Sequence, residues 1–113
     1  MARSRAALLR RLTQLAELAV QGTLVQVYVK CGTASCSCHN DRERRHGPHS
    51  YLKFRNPEGR PTALYIPHDH AELTQRAVEA WGELRETIAS LSQLNREALR
   101  GRLRRRKGAA AGR

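Results

Sequence analysis

The chain has 113 residues, 21 of them Lys or Arg against 10 Asp or Glu, for a formal charge of +11. That length holds one small domain with appendages, and no apolar run approaches the roughly 18 residues of a membrane span, which excludes a large multi-domain enzyme and an integral membrane protein. Hydrophobic residues make up 40% and aromatic residues 4%, so the core is expected to be aliphatic, and the patterning of its apolar positions argues against a wholly disordered chain.

The N-terminal stretch MARSRAALLRRL scatters charge among its apolar residues and offers no small-residue cleavage site. It does not read as a signal peptide, and a cytoplasmic location is expected. Within the first segment, 1–21, residues 4–20 read as an amphipathic helix. Leu8, Leu12, Leu15 and Ala19 fall on one stripe, with Ser4 as N-cap and Gly22 as stop.

The second segment, 22–68, reads as a small three-stranded antiparallel sheet. TLVQVYVK at 23–30 alternates Val25, Val27 and Val29 with polar or aromatic residues. SYLKFR at 50–55 sets Tyr51, Lys53 and Arg55 against Leu52 and Phe54. Asn56, Pro57, Glu58 and Gly59 form a turn, and 61–66 follows with Leu64 and Ile66 on one face. A long helix is then expected over 69–99, with Asp69 and Glu72 as its capping arrangement. Its stripe is Leu73, Ala77, Ala80, Leu84, Ile88, Leu91, Leu94 and Ala98. At about 1.5 Å per residue this helix outruns a compact domain of its own. It needs the first helix as antiparallel partner or a second subunit in a coiled coil, and a homodimer is expected. Residues 100–113 carry seven basic and no acidic side chains, and are expected to be a disordered tail that contacts a polyanion. The fold class implied is α+β.

All three cysteines lie within eight residues: Cys31, Cys36 and Cys38. An odd number cannot close an intramolecular disulfide set. A thiolate cluster followed by His39, His46 and His49, in a segment with no core of its own, fits a Cys3His zinc site whose metal supplies folding energy. His46 is the preferred fourth ligand and His49 the alternative, since His39 adjoins Cys38. Reduced loop thiols, or a redox thiol activated by Lys30 and the nearby arginines, are the competing readings.

The run YVKCGTASCSCHNDRERRHGPHSYLKFRNPEGRPTALYIP resembles a family of small bacterial and archaeal proteins of unknown function. Its pattern is a Lys-Cys-Gly start, two close cysteines, His-Gly-Pro-Tyr and a Tyr-Val/Ile-Pro ending. The resemblance covers about 20–99 and places Cys31, Cys36, Cys38 and His46 at the family's metal positions. This chain has His49 where the family has Tyr. Members are encoded near mobile elements, which implies a role on DNA. The hairpin followed by a helix also looks like the arm-binding domains of phage integrases, at the level of fold.

No catalytic constellation is present, and His39-Asn40-Asp41 is too common a loop tripeptide to mark a nuclease, so no enzyme activity is expected. The expected function is that of a small zinc-stabilised DNA-binding protein, an accessory factor of a mobile element. Its candidate phosphate contacts are Arg42, Arg44 and Arg45 in the metal loop, Lys53 and Arg55 on the second strand, Arg60 after the turn, and Arg100, Arg102, Arg104, Arg105, Arg106 and Lys107 in the tail. Tyr51, Lys53 and Arg55 share a strand face that suits a DNA groove. The expected partner is duplex DNA; the alternative is a non-catalytic dimeric adaptor that docks a protein encoded nearby through its long helix and basic tail, and single-stranded DNA or RNA is a third option for which few aromatics are available to stack bases.

Overall fold

A computed structural model describes residues 4–111. In chain order it contains helix α1 (Arg5–Ala16), strand β1 (Thr23–Val29), 3-10 turns at Ser37–His39 and Arg42–Arg44, strands β2 (His46–Arg55) and β3 (Pro61–Ile66), a 3-10 turn at His68–His70, and helix α2 (Ala71–Ala111). This is the expected α+β arrangement of an N-terminal helix, a three-stranded antiparallel sheet with a Cys/His cluster, and a long C-terminal helix. Among the described residues no helix is long and apolar enough to cross a membrane. The fold comprises two compact units, one built on Ala19–Glu79 and one on α1 with the part of α2 from Ala80 onward.

The first unit is the sheet, in the order β1-β2-β3. Val25 pairs with Tyr51 and Tyr51 with Tyr65; Thr23 pairs with Lys53 and Lys53 with Ala63. One face buries Ser50, Leu52 and Ile66. Leu64 lies on that face too, on the edge strand β3, but stays 53% exposed. Gly22 is not a helix stop. It lies against the sheet, where an added Cβ would stand 2.8 Å from Leu52 Cδ1. The Val20 N–H donates to the Ala77 carbonyl at 3.0 Å, tying the segment before β1 to the buried Ala77 of α2. The β2–β3 turn is closed by Asn56, whose carbonyl accepts from the Gly59 N–H at 2.8 Å and whose Oδ1 accepts from the Arg60 N–H at 2.9 Å.

In the second unit Ser4 caps α1 as expected, its hydroxyl accepting from the Ala7 N–H at 3.2 Å. The buried residues are Leu8 and Leu15 of α1 and Ala80, Leu84 and Thr87 of α2. The Thr87 hydroxyl is satisfied by the Glu83 carbonyl at 2.9 Å. Arg11 forms a forked pair with Glu83 at 2.9 and 2.7 Å, and Arg5 Nη1 donates to Asn95 Oδ1. The earlier residue of α1 meets the later residue of α2, so the two helices run antiparallel.

Four expectations need correction. The first helix ends at Ala16 rather than 20, since the chain leaves it to reach the hydrogen bond at Ala77. Asp69 does not cap α2; it sits in the preceding 3-10 turn with His70 Nδ1 3.0 Å from its Oδ1. The buried stripe of α2 is narrower than expected, with Leu73 and Ile88 about half exposed, at 53% and 51%. Residues 100–111 are helical rather than disordered. Arg, Lys, Ala and Leu are strong helix formers, and adding a residue to an existing helix needs no new nucleus. Gly101 and Gly108 each cost only about 1 kcal/mol there. The ends of the expected segments 1–21 and 100–113 lie outside the described residues.

Candidate metal centre

The metal loop is anchored by the sheet at both ends. Cys31 lies two residues past the end of β1, and His46 opens β2. Between them the backbone folds into two short turns rich in polar side chains. The Cys36 N–H donates to the Thr33 carbonyl at 3.1 Å and the His39 N–H to the Cys36 carbonyl at 3.2 Å. Asp41 caps the second turn, its Oδ1 accepting from the Glu43 N–H at 3.0 Å. These turns bring Cys36 and Cys38 back over Cys31.

β2 begins at His46, four residues before the expected start at 50. Gly47 and Pro48 look like strand breakers in the sequence, yet both belong to the strand. Gly47 has φ +139°, and a Cβ there would stand 2.7 Å from the Val27 carbonyl oxygen. Only glycine fits that approach. The β1–β2 register shifts between Val27 and Val29, and His46 pairs with Val29, so the bulge sets the level at which the imidazole meets the thiols.

Ligand atoms of Cys31, Cys36, Cys38 and His46 all lie within 4.8 Å of one another. Cys36 Sγ is 3.4 Å from His46 Nε2, and Cys38 Sγ is 3.6 Å from Cys31 Sγ. A tetrahedral ion with sulfur at about 2.3 Å and nitrogen at about 2.0–2.1 Å has edges of about 3.5–3.8 Å between its ligands. The two shortest contacts are close to those edges, and these four residues could hold a metal ion. Cys38 is 1% exposed and receives the Cys31 N–H at 3.3 Å, a contact that suits a charged sulfur. His49, the alternative ligand, is not in the group; its ring lies beside Tyr65, 6.4 Å between centroids. His39 is a brace, its Nε2 2.9 Å from the Cys31 carbonyl oxygen.

The thiols differ in acidity. Cys31 is lowered to about 6, first by the Thr33 backbone and then by Cys38, Cys36 and His46, against the opposing effect of burial. Cys36 is lowered by the Cys38 backbone and then by His46. Cys38 is raised: the Cys31 N–H draws it down, but burial and the adjacent thiols outweigh that. His46 is raised by Cys36 and then Cys31, whose sulfurs favour the imidazolium. Two acidified thiols, a third thiol held protonated and an imidazole form a group that could exchange protons for a cation.

The candidate phosphate contacts are spread over both units. Arg42 and Arg44 are exposed on the second turn, and Arg44 Nε is 3.5 Å from Asp41 Oδ2. Arg45 is half-buried, and its Nε is, among the described residues, a buried nitrogen without a hydrogen-bond acceptor. Lys53 and Arg60 are exposed. Arg55 is exposed and its Nη1 donates to the Gly59 carbonyl at 2.8 Å. Arg100, Arg102, Arg104, Arg105, Arg106 and Lys107 are exposed along the last turns of α2. Helical spacing distributes them around the axis instead of gathering them on one face. Sequence reading missed the parts played by Gly47 and His39; the only signal for either is its position beside a ligand.

No curated protein and no solved structure matches the chain. A family model matches residues 1–76, taking in α1, the sheet and the first turns of α2, where the resemblance read from the motifs began near 20 and ran to 99. With about two thirds of its length matched, the chain belongs to the family described as domain of unknown function DUF6788.

Proposed function

We propose that this is a zinc-stabilised DNA-binding protein, non-catalytic and dimeric, that serves as an accessory factor of a mobile element. The observation that carries the reading is the Cys3His group set at the root of a sheet whose three strands contain no acidic residue. Soft thiolates with one imidazole favour Zn2+ over hard cations. Four protein donors complete a tetrahedron and leave no open position for a substrate, which is the character of a structural site. Free thiols in a metal-binding arrangement suit a reducing compartment such as the cytoplasm. Lys53 and Arg55 on the sheet, Arg60 after the turn and the cations at the end of α2 supply contacts to phosphate. The mobile-element setting rests on the motif resemblance alone. The test is a mobility-shift titration of the zinc-loaded chain on duplex DNA at about 50 and 200 mM salt. Binding that falls steeply with salt is expected, and no shift at the lower salt overturns the reading.

A second reading, the dimeric adaptor, is favoured by the apolar residues α2 leaves to solvent: Ile88 at 51%, Leu99 at 55% and Leu103 at 58%. Both readings expect a homodimer. Sedimentation should give a dimer that Ile88→Glu with Leu99→Glu converts to monomer, and a monomeric unaltered chain at tens of micromolar would reject it.

A further inference from the structure

The two faces of the sheet are chemically unlike. One buries Ser50, Leu52 and Ile66. The other carries His49, Tyr51, Lys53 and Arg55 of β2 and Tyr65 of β3 beside the half-buried Val25 and Val27 of β1, placed there by the strand register. Tyr51 and Tyr65 stand directly opposite one another, their rings T-shaped with centroids 5.7 Å apart and an interplanar angle of 66°. The His49 ring extends the cluster, tilted 57° to Tyr65. Tyr65 is 52% exposed. The chain has three Tyr, one Phe and one Trp, and two of these scarce rings, Tyr51 half-buried and Tyr65 exposed, stand on this face instead of in the core.

We infer that this face binds single-stranded nucleic acid, with unpaired bases stacked on the Tyr51–Tyr65–His49 cluster and the adjoining phosphates held by Lys53 and Arg55. The inference rests on the nucleic-acid reading above and narrows its ligand. A flat ring beside a cation matches a base beside its phosphate. Along β2, Lys53 stands about 7 Å and Arg55 about 14 Å from Tyr51 on the same face, so the cations run outward from the rings as a backbone would. Bases in a duplex are stacked on each other and have no free face to offer; unpaired bases have one, and aromatic side chains on an antiparallel sheet are a recurrent platform for them. An acidic peptide would use the cations but leaves the rings unexplained.

The test is fluorescence anisotropy with labelled dT and rU strands of about 12 nucleotides, and a duplex of equal length, on the full zinc-loaded chain. Tyr65→Ala is expected to weaken single-strand binding about 5- to 100-fold and to leave duplex binding and the salt slope unchanged. Tyr65→Phe keeps the ring and should bind as the unaltered chain does. Lys53→Ala should weaken binding and reduce the single-strand salt slope by about 0.7. If Tyr65→Ala does not fold, Lys53→Glu at its exposed position carries the test, with loss of single-strand binding expected. Unchanged binding in Tyr65→Ala and Tyr51→Ala, with the unaltered chain still bound to DNA, overturns this inference alone and assigns the face to a protein partner. No binding to any strand or duplex overturns the nucleic-acid reading along with it.

Discussion

Gly47 and Val27 meet where no side chain could intervene: a Cβ on Gly47 would lie 2.7 Å from the Val27 carbonyl oxygen, and the glycine's φ is +139°. The neighbour that depends on this approach is His46. Replacing Gly47 with Ala is expected to cost about 1–3 kcal/mol through backbone strain and to lower zinc retention, because β2 must move away from β1 at the ligand. Gly32→Ala is the control, since nothing lies within 4 Å of the added methyl. Chemical unfolding and zinc content of both variants check this, and equal behaviour would remove Gly47 from any role in placing the site.

Protein purified without added metal should contain close to equimolar zinc, and chelation should lower its melting temperature, since the loop has no apolar core to replace the metal. His46→Ala should lose the metal and His49→Ala should keep it. Elemental analysis after dialysis decides; the reverse order would reassign the ligand.

Zinc binding should release protons and strengthen as pH rises. Metal ligands must be deprotonated. Cys31, lowered to about 6, has largely given up its proton at neutral pH, whereas Cys38 and His46 are both raised and hold theirs more tightly. Each zinc bound near pH 7 must therefore displace the proton of Cys38. Affinity measured by competition with a chromophoric chelator is expected to fall as pH is lowered toward the Cys31 value, where a further proton begins to compete. Calorimetry in buffers of different ionisation enthalpy should show the release at pH 7, and its absence would mean that Cys38 is not a ligand.

Removing residues 100–113 should weaken binding to all duplex sequences and flatten the log–log salt dependence by about 0.9 for each phosphate the tail had neutralised. The cations there are arranged around a helix, so Leu103→Pro, which interrupts that helix while keeping every charge, separates the effect of shape from that of charge. An unchanged slope after deletion would exclude the tail from the interface.

Much of this architecture can be read from residue pattern. Alternation at 23–30 and 50–55, the Asn-Pro-Glu-Gly turn and the helical stripes mark every regular element, and the clustering of Cys31, Cys36 and Cys38 marks the site. Three features elude such reading for physical reasons. The start of β2 is hidden because Gly47 and Pro48 carry the local signature of a break while the ladder across to β1 holds them in the strand. The helical end of α2 is hidden because its composition shows what cannot be buried, and helix extension does not require burial. The Tyr51–Tyr65 pair is invisible because it joins two strands, and only the register brings their positions opposite one another.

A metal held by the Cys3His group would also act on the sheet as a register pin. β1 is an edge strand that pairs with β2 alone, and a slip of one residue would turn Val25 and Val27 to the opposite face. Cys31 just beyond β1 and His46 at the start of β2 belong to one group, so an ion bound by both would index the two strands against each other at that end. A metal bound there would add to the ladder pairs that already hold β1 in register. Amide exchange in β1 should quicken on chelation well before that in β2 and β3, whose alignment is held by their own tight turn.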